Sequence, residues 1–170
     1  EWYVKASKNG SVTAMNNVGI CFRDAIGTEQ DYQKAVHWFS KAAAGGNASA
    51  QCSLGYAYES GQGVAVNMEE AVRWYKKAAE QGLPRGIAYL GECYENGQGG
   101  LPQDFGKAVE LYRKAIEDEQ AWAMLCLGRC YEMGRGVDAD QSMAVYFYRR
   151  SAKNGVSAAK DALKRLGYNE

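Results

Sequence analysis

Four glycines in the same local setting, Gly19, Gly55, Gly91 and Gly128, recur at intervals of 36, 36 and 37 residues. A fixed period of this length marks a chain built by stacking one small unit on itself. Each glycine follows an aliphatic residue (Val18, Leu54, Leu90, Leu127) and is followed three positions later by an aromatic one (Phe22, Tyr58, Tyr94, Tyr131). Farther along each unit come Ala35, Ala71, Ala108 and Ala144, then Phe39, Tyr75, Tyr112 and Tyr148. The small pairs Ala42-Ala43, Ala78-Ala79, Ala115-Ile116 and Ser151-Ala152 close the pattern. Four repeats result, over 11–46, 47–82, 83–119 and 120–155, in a single array spanning 1–170.

Within a repeat the spacing is helical. Ala50, Leu54 and Tyr58 share one face of a first helix, and Ala71, Tyr75, Ala78 and Ala79 share one face of a second. The Gly-rich stretches between them, SGQGVAVN and MGRGVDAD, supply the turn. First helices are predicted near 12–23, 48–59, 84–95 and 121–132, and no strand is expected. Asp31, Asn67, Asp104 and Asp140 stand at the N-cap of the second helix, with Glu70 placed to complete a capping box. Gly46, Gly82 and Gly155 stand just past its end, while the third repeat has Glu119 there and one extra loop residue. Glycine within a helix costs about 1 kcal/mol relative to Ala, so its recurrence in every first helix predicts close approach by a neighbouring helix. The aromatics are expected to fill the space between successive pairs. No unit can bury its apolar face alone, and stability must come from stacking.

The pattern A-x3-L-G-x2-Y-x2-G-x-G-V, a short loop, then A-x2-W-Y-x2-A-A-x2-G resembles the Sel-one-like repeat family, a relative of the tetratricopeptide repeat. The second repeat carries all of it, from Ala50, Leu54, Gly55 and Tyr58 through Gly61, Gly63 and Val64 to Ala71, Trp74, Tyr75, Ala78, Ala79 and Gly82. The first repeat departs most, with Ala25 and Thr28 in its loop. The resemblance covers essentially the whole chain. It implies an all-α fold, a right-handed α-solenoid of antiparallel helix pairs, and an adaptor or scaffold that gathers protein partners rather than an enzyme.

The ends of the chain read in the same register. Residues 1–10 copy the end of a second helix, with Trp2 aligned on Trp38 and Gly10 on Gly46, so the chain is expected to be the C-terminal part of a longer array or a segment cut from one. Residues 156–170 copy a first helix, with Ala159 and Leu163 in place but Lys164 where the glycine recurs. A lysine there leaves no room for a following helix, so this segment is expected to cap the array.

Charge and cysteines restrict the function. Twenty Lys+Arg balance twenty Asp+Glu, which argues against a nucleic-acid or anionic-membrane partner. No apolar run approaches the ~20 residues that cross a bilayer. Five cysteines are an odd set for a secreted disulfide framework, so reduced thiols and an intracellular setting are favoured. Cys21, Cys93 and Cys130 share a column with Ala57, a small packing position; Cys126 and Cys130 lie one turn apart, too few ligands for a metal. Some cysteine-rich members of the family join the two helices of each repeat by a disulfide. All five cysteines here fall on first helices, so neither that bridge nor the penicillin binding attributed to those members is expected. His37 is the only histidine and shares a polar column with Arg73, Glu110 and Tyr146. No catalytic residue, metal site or cofactor is expected. The alternatives to a protein scaffold are an RNA-binding helical repeat reading one base per unit and, behind it, an enzyme of the cysteine-rich kind.

Ligand contacts in the related tetratricopeptide groove come from first-helix residues flanking the repeat glycine. By register these fall in three columns: Thr13, Ser49, Arg85, Trp122; Asn16, Cys52, Ala88, Leu125; and Ile20, Tyr56, Glu92, Arg129. Framework columns barely change between repeats, whereas these change completely. Such variation also suits a merely solvated face, but Tyr56 and Trp122 favour a contact surface, because large aromatics are seldom left exposed without use. Asn16, Tyr56, Arg85, Glu92, Trp122 and Arg129 are therefore expected to line one concave surface for a protein or peptide partner.

Overall fold

A computed structural model of the 170-residue chain describes residues 11–168, so the half repeat expected at 1–10 lies outside the described residues. The described residues form nine α-helices and no strand: α1 Val12–Asp24, α2 Tyr32–Ala44, α3 Ala48–Ser60, α4 Met68–Glu80, α5 Pro84–Asn96, α6 Phe105–Ile116, α7 Ala121–Met133, α8 Gln141–Lys153 and α9 Ser157–Arg165. Odd-numbered helices are the first helices of repeats and even-numbered ones the second. The four predicted first helices are all present, each ending one residue later than its spacing predicted. The chain divides into two compact units, residues 1–86 and 87–170, described separately below.

Each helix pair is closed by the same backbone device. The N–H of the N-cap residue of the second helix donates to the carbonyl of the first helix's aromatic residue: Asp31 to Phe22, Asn67 to Tyr58, Asp104 to Tyr94 and Asp140 to Tyr131, at 2.8–2.9 Å. The cap side chains accept from the N–H three residues on (Lys34, Glu70, Lys107 and Met143) as expected of Asp and Asn at that position. The expected capping box is only half formed. Since the Asn67 N–H is already bonded to Tyr58, the Glu70 carboxylate turns to Arg73 instead, at 2.9 Å.

The recurrent glycine is explained first by a ring and then by the neighbouring helix's backbone, whose carbonyl at Ala35, Ala71, Ala108 or Ala144 stands 3.2–3.4 Å from an added Cβ. A Cβ on Gly19 would stand 2.6 Å from the Phe39 ring, on Gly55 2.6 Å from Tyr75, on Gly91 2.8 Å from Tyr112 and on Gly128 2.7 Å from Tyr148. Each ring comes from the second helix of the same repeat. The aromatic thus locks its own helix pair and, as expected, also packs against the next: Phe39 shares a core cluster with Ala50 and Leu54, and Tyr148 with Ala159 and Leu163. Neighbouring pairs meet through small residues: a Cβ on Gly86 would lie 2.7 Å from that of Ala78. The second loop glycine has its own reason. At Gly63 (φ +78°) a Cβ would collide with the Tyr32 carbonyl, and at Gly136 (φ +70°) with that of Phe105, each at the start of the preceding repeat's second helix.

Second helices end in paired bonds that satisfy two orphan carbonyls. In the second repeat the Gly82 N–H donates to Ala79 and the Leu83 N–H to Ala78; in the third the Glu119 N–H donates to Ile116 and that of Gln120 to Ala115. Glu119 therefore adopts the left-handed conformation (φ +57°) that glycine holds in the other repeats. Behind these frames lies a core of alanines and rings. In the first unit Ala35, Phe39, Ala42, Ala43, Ala50 and Leu54 form one cluster; in the second, Leu125, Ala144, Val145, Tyr148 and Ala152 join Ala159 and Leu163 of α9. Lys164 is exposed, as a lysine in the glycine column requires.

Candidate functional site

The three variable columns of the first helices do not share one environment. The second is core: Cys52, Ala88 and Leu125 are at most 3% exposed, and Asn16 is 6% exposed. Asn16 therefore does not stand on the expected surface. Its column points into the packing, so the register carried over from the tetratricopeptide groove does not hold for this column. The first and third columns do reach solvent. In the first unit Tyr56 is 39% exposed, and the half-buried Arg85 sits beside the buried Cys52 thiol. Burial pushes that thiol up from its ordinary pKa, with Arg85 opposing.

In the second unit the structure brings the other three residues together. The Trp122 indole Nε1–H of α7 donates to Glu92 Oε2 of α5 at 3.1 Å. Two turns farther along α7, Arg129 Nη2 lies 4.0 Å from Glu92 and 3.9 Å from Glu95, and 3.5 Å from the Cys126 sulfur. These are long contacts, and the buried Arg129 Nε has no hydrogen-bond partner. Trp122 is half-buried and packs on the α7–α9 cluster, so its ring is shared between core and surface.

Glu95 and Arg135 belong to the same cluster and were missed from sequence. Glu95 is 4% exposed, accepts the Tyr112 hydroxyl at 2.7 Å, and has Arg135 at 3.6 Å and Arg129 at 3.9 Å. A buried carboxylate needs such partners. The signal was available in register: Glu59, Glu95 and Glu132 form a column, as do Tyr75, Tyr112 and Tyr148, and each hydroxyl donates to its repeat's carboxylate at 2.5, 2.7 and 2.6 Å. Burial, with the Glu95 carboxylate beside it, drives the Tyr112 hydroxyl far above its ordinary pKa. Burial likewise pushes the Cys126 and Cys130 thiols up to about 12, against the pull of Arg129. They stay protonated and are poor nucleophiles. No disulfide joins any of the five cysteines. Among the described residues no group of three or more His, Cys, Asp or Glu side chains is placed to hold a metal ion, and no helix is long and apolar enough to cross a membrane.

What the cluster offers is a mixed-charge, partly aromatic surface on a rigid helical frame. The fold is that of a helical-repeat protein. The Sel1 repeat matches the chain at residues 12–47, 48–83, 84–119 and 123–156, and the chain belongs to that family. Its structure is similar to that of a Sel1 repeat protein from Oxalobacter formigenes, with 36% identity, a TM-score of 0.88, and 95% of this chain aligned on 64% of that one. A protective antigen present in uropathogenic Escherichia coli strains, which displays an SLR fold, aligns at 34% identity and a TM-score of 0.81 over 98% of this chain and 36% of that one. Helicobacter pylori cysteine rich protein B aligns at 26% identity and a TM-score of 0.56, over 76% of this chain and 92% of its own. The chain thus spans less than two thirds of the first two relatives. No curated protein sequence matches it.

Proposed function

We propose that this chain is a protein-interaction scaffold that holds a peptide or protein segment against its first helices. The observation that carries this reading is the contrast between columns. The glycine-facing ring is buried in every repeat, while Tyr56, Arg85, Glu92, Trp122 and Arg129 differ from repeat to repeat and reach solvent. A surface free to change its chemistry on an invariant frame suits partner recognition, and aromatics with Arg supply most of the affinity at such interfaces. No catalytic role is assigned to any residue. Trp122, Glu92 and Arg129 together present an aromatic edge flanked by both signs of charge.

Site-specific photo-crosslinking in the cells of origin tests the reading. A photoreactive residue at Tyr56 or Arg85 is expected to capture a protein partner, whereas one at Tyr146, exposed on second helix α8, is not. Capture from Tyr146 alone would move the partner to the second-helix surface. Capture of RNA rather than protein would replace the scaffold by a nucleic-acid reader.

A further inference from the structure

First-helix residues of one column reach back toward the preceding first helix. Arg85 of α5 reaches Cys52 of α3, and Trp122 of α7 reaches Glu92 of α5. The next member of that column is Ala158 of α9, thirty-six residues after Trp122. Alanine cannot reach, and a cleft of about 320 Å³ opens where the longer side chains lie in the earlier repeats. Leu125, Arg129, Glu132 and Met133 of α7, Tyr148 of α8, and Ala158, Asp161, Ala162 and Arg165 of α9 line it. That volume is at the lower end of the range for ligand sites, about 300–1,000 Å³.

We propose that this cleft is a subsite for an aromatic side chain standing beside a carboxylate on the partner segment. The proposal rests on the reading of the first helices as the partner surface. The molecule supplies its own template for the aromatic, since the preceding cleft receives the Trp122 indole, whose N–H donates to a carboxylate. Asp161 offers the same acceptor in the open cleft, and Leu125, Ala158, Ala162 and Met133 offer apolar contact. Met133 is 53% exposed, a large apolar side chain standing over the cleft without cover.

The charged lining selects the neighbour. Glu132 is fully engaged, accepting the Tyr148 hydroxyl at 2.6 Å and both Arg165 amino groups at 2.6 and 2.9 Å. Arg129 is held less tightly: its nearest carboxylates stand 3.9 and 4.0 Å away. A carboxylate on the incoming segment can pair with the amino groups of that guanidinium that reach solvent, in a charge-assisted hydrogen bond.

Indole-3-propionate, which joins an indole to a carboxylate, is the probe, titrated into the full chain while backbone amides are followed by NMR. Saturable shifts centred on Leu125, Arg129, Ala158 and Ala162 are expected, with a Kd on the order of 1 mM for so small a ligand. Tryptamine, with a cation in place of the carboxylate, is expected to bind roughly tenfold more weakly. Ala158→Trp should fill the cleft from within and abolish the shifts; Ala158→Leu is the substitute if the larger side chain prevents folding. Absence of saturation, shifts centred elsewhere, equal binding of tryptamine, or undiminished binding to the filled variant would each overturn the subsite. Crosslinking from Tyr56 or Arg85 is a separate readout. A partner captured there with no probe binding sinks the subsite and leaves the scaffold standing, whereas probe binding without capture does the reverse.

Discussion

The first and second repeats solve the same packing problem with different chemistry. In the second, Gly55 faces the Tyr75 ring and the phenol donates to Glu59 at 2.5 Å. In the first, Gly19 faces Phe39 at the same separation, and the column position of Glu59 is Arg23, whose guanidinium lies 5.9 Å over the ring centre. Hydroxyl and carboxylate have been exchanged together for a bare ring and a cation. The ring is thus the part the glycine demands. The polar tip is optional, but once present it must be satisfied, because an unpartnered buried hydroxyl or carboxylate is costly. The third and fourth repeats follow the second.

The largest test attacks the shared part. Gly91→Leu puts a branched side chain where a single Cβ already lies 2.8 Å from the Tyr112 ring. Overpacking of this kind costs ~1–3 kcal/mol, more than the ~1 kcal/mol gained in helix propensity. Thermal melts should show a clear drop. An unchanged melting temperature would mean that the ring has room to move and that the lock is not tight.

A double-mutant cycle sharpens the comparison itself. Tyr75→Phe removes the Glu59 partner and should cost about 1 kcal/mol. Glu59→Arg should cost a similar amount by leaving the phenol without its acceptor. Together they copy the first repeat's pair into the second. The double variant is expected to recover most of the loss, giving a coupling energy of at least ~0.5 kcal/mol in denaturant titrations. Strict additivity would show that Arg23 and Phe39 are neighbours without being a unit.

Much of this was legible in the sequence, because one constraint repeated four times cannot be hidden by local noise. The first helices, the second-helix N-caps and the left-handed Glu119 position all follow from register alone. What failed did so where two readings share a spacing. That each aromatic covers its own glycine as well as the gap between pairs depends on side-chain direction, which a column does not record. Asn16 was placed on the surface by register with the tetratricopeptide groove, yet its column mates Cys52, Ala88 and Leu125 already marked the position as apolar. Glu95 was passed over in the sequence, and only its pairing with the tyrosine column explains its burial. The Trp122, Glu92 and Arg129 grouping needed the distance between neighbouring first helices, which the sequence does not contain.

A smaller effect separates the fourth repeat's carboxylate from the first repeat's cation. Arg165 holds the Glu132 carboxyl below the usual carboxylate range, burial opposing and the Tyr148 hydroxyl assisting. A depressed folded-state value contributes stability that is present above the unfolded value of about 4.3 and is lost as pH falls through the folded one. Arg165→Gln should therefore flatten the acid side of the stability profile between neutral pH and pH ~3, while Arg23→Gln, which releases only the exposed Asp24 carboxylate that Arg23 holds low, should flatten it less. Equal flattening by both, followed by denaturant melts at each pH, would show that the slope comes from carboxylates elsewhere.

The smallest expected effect comes from the one member of the glycine column that is not glycine. Lys164 lies in the last turn of α9 and is exposed, unlike Gly91 with its ring close overhead. Leu and Lys have nearly equal helix propensities, so Lys164→Leu changes little in the helix itself. Losing a cation near the C-terminus forfeits at most a few tenths of a kcal/mol of dipole interaction, and an exposed substitution generally stays within about 0.5 kcal/mol. The same residue introduced at two positions of one column should thus give a melting-temperature loss at Gly91 and almost none at Lys164. The paired measurement matters more than either alone, because it holds side chain and register fixed and varies only what stands opposite. Equal losses would mean that α9 is packed at Lys164 as the earlier first helices are packed at their glycines, and that its role as a cap is wrong.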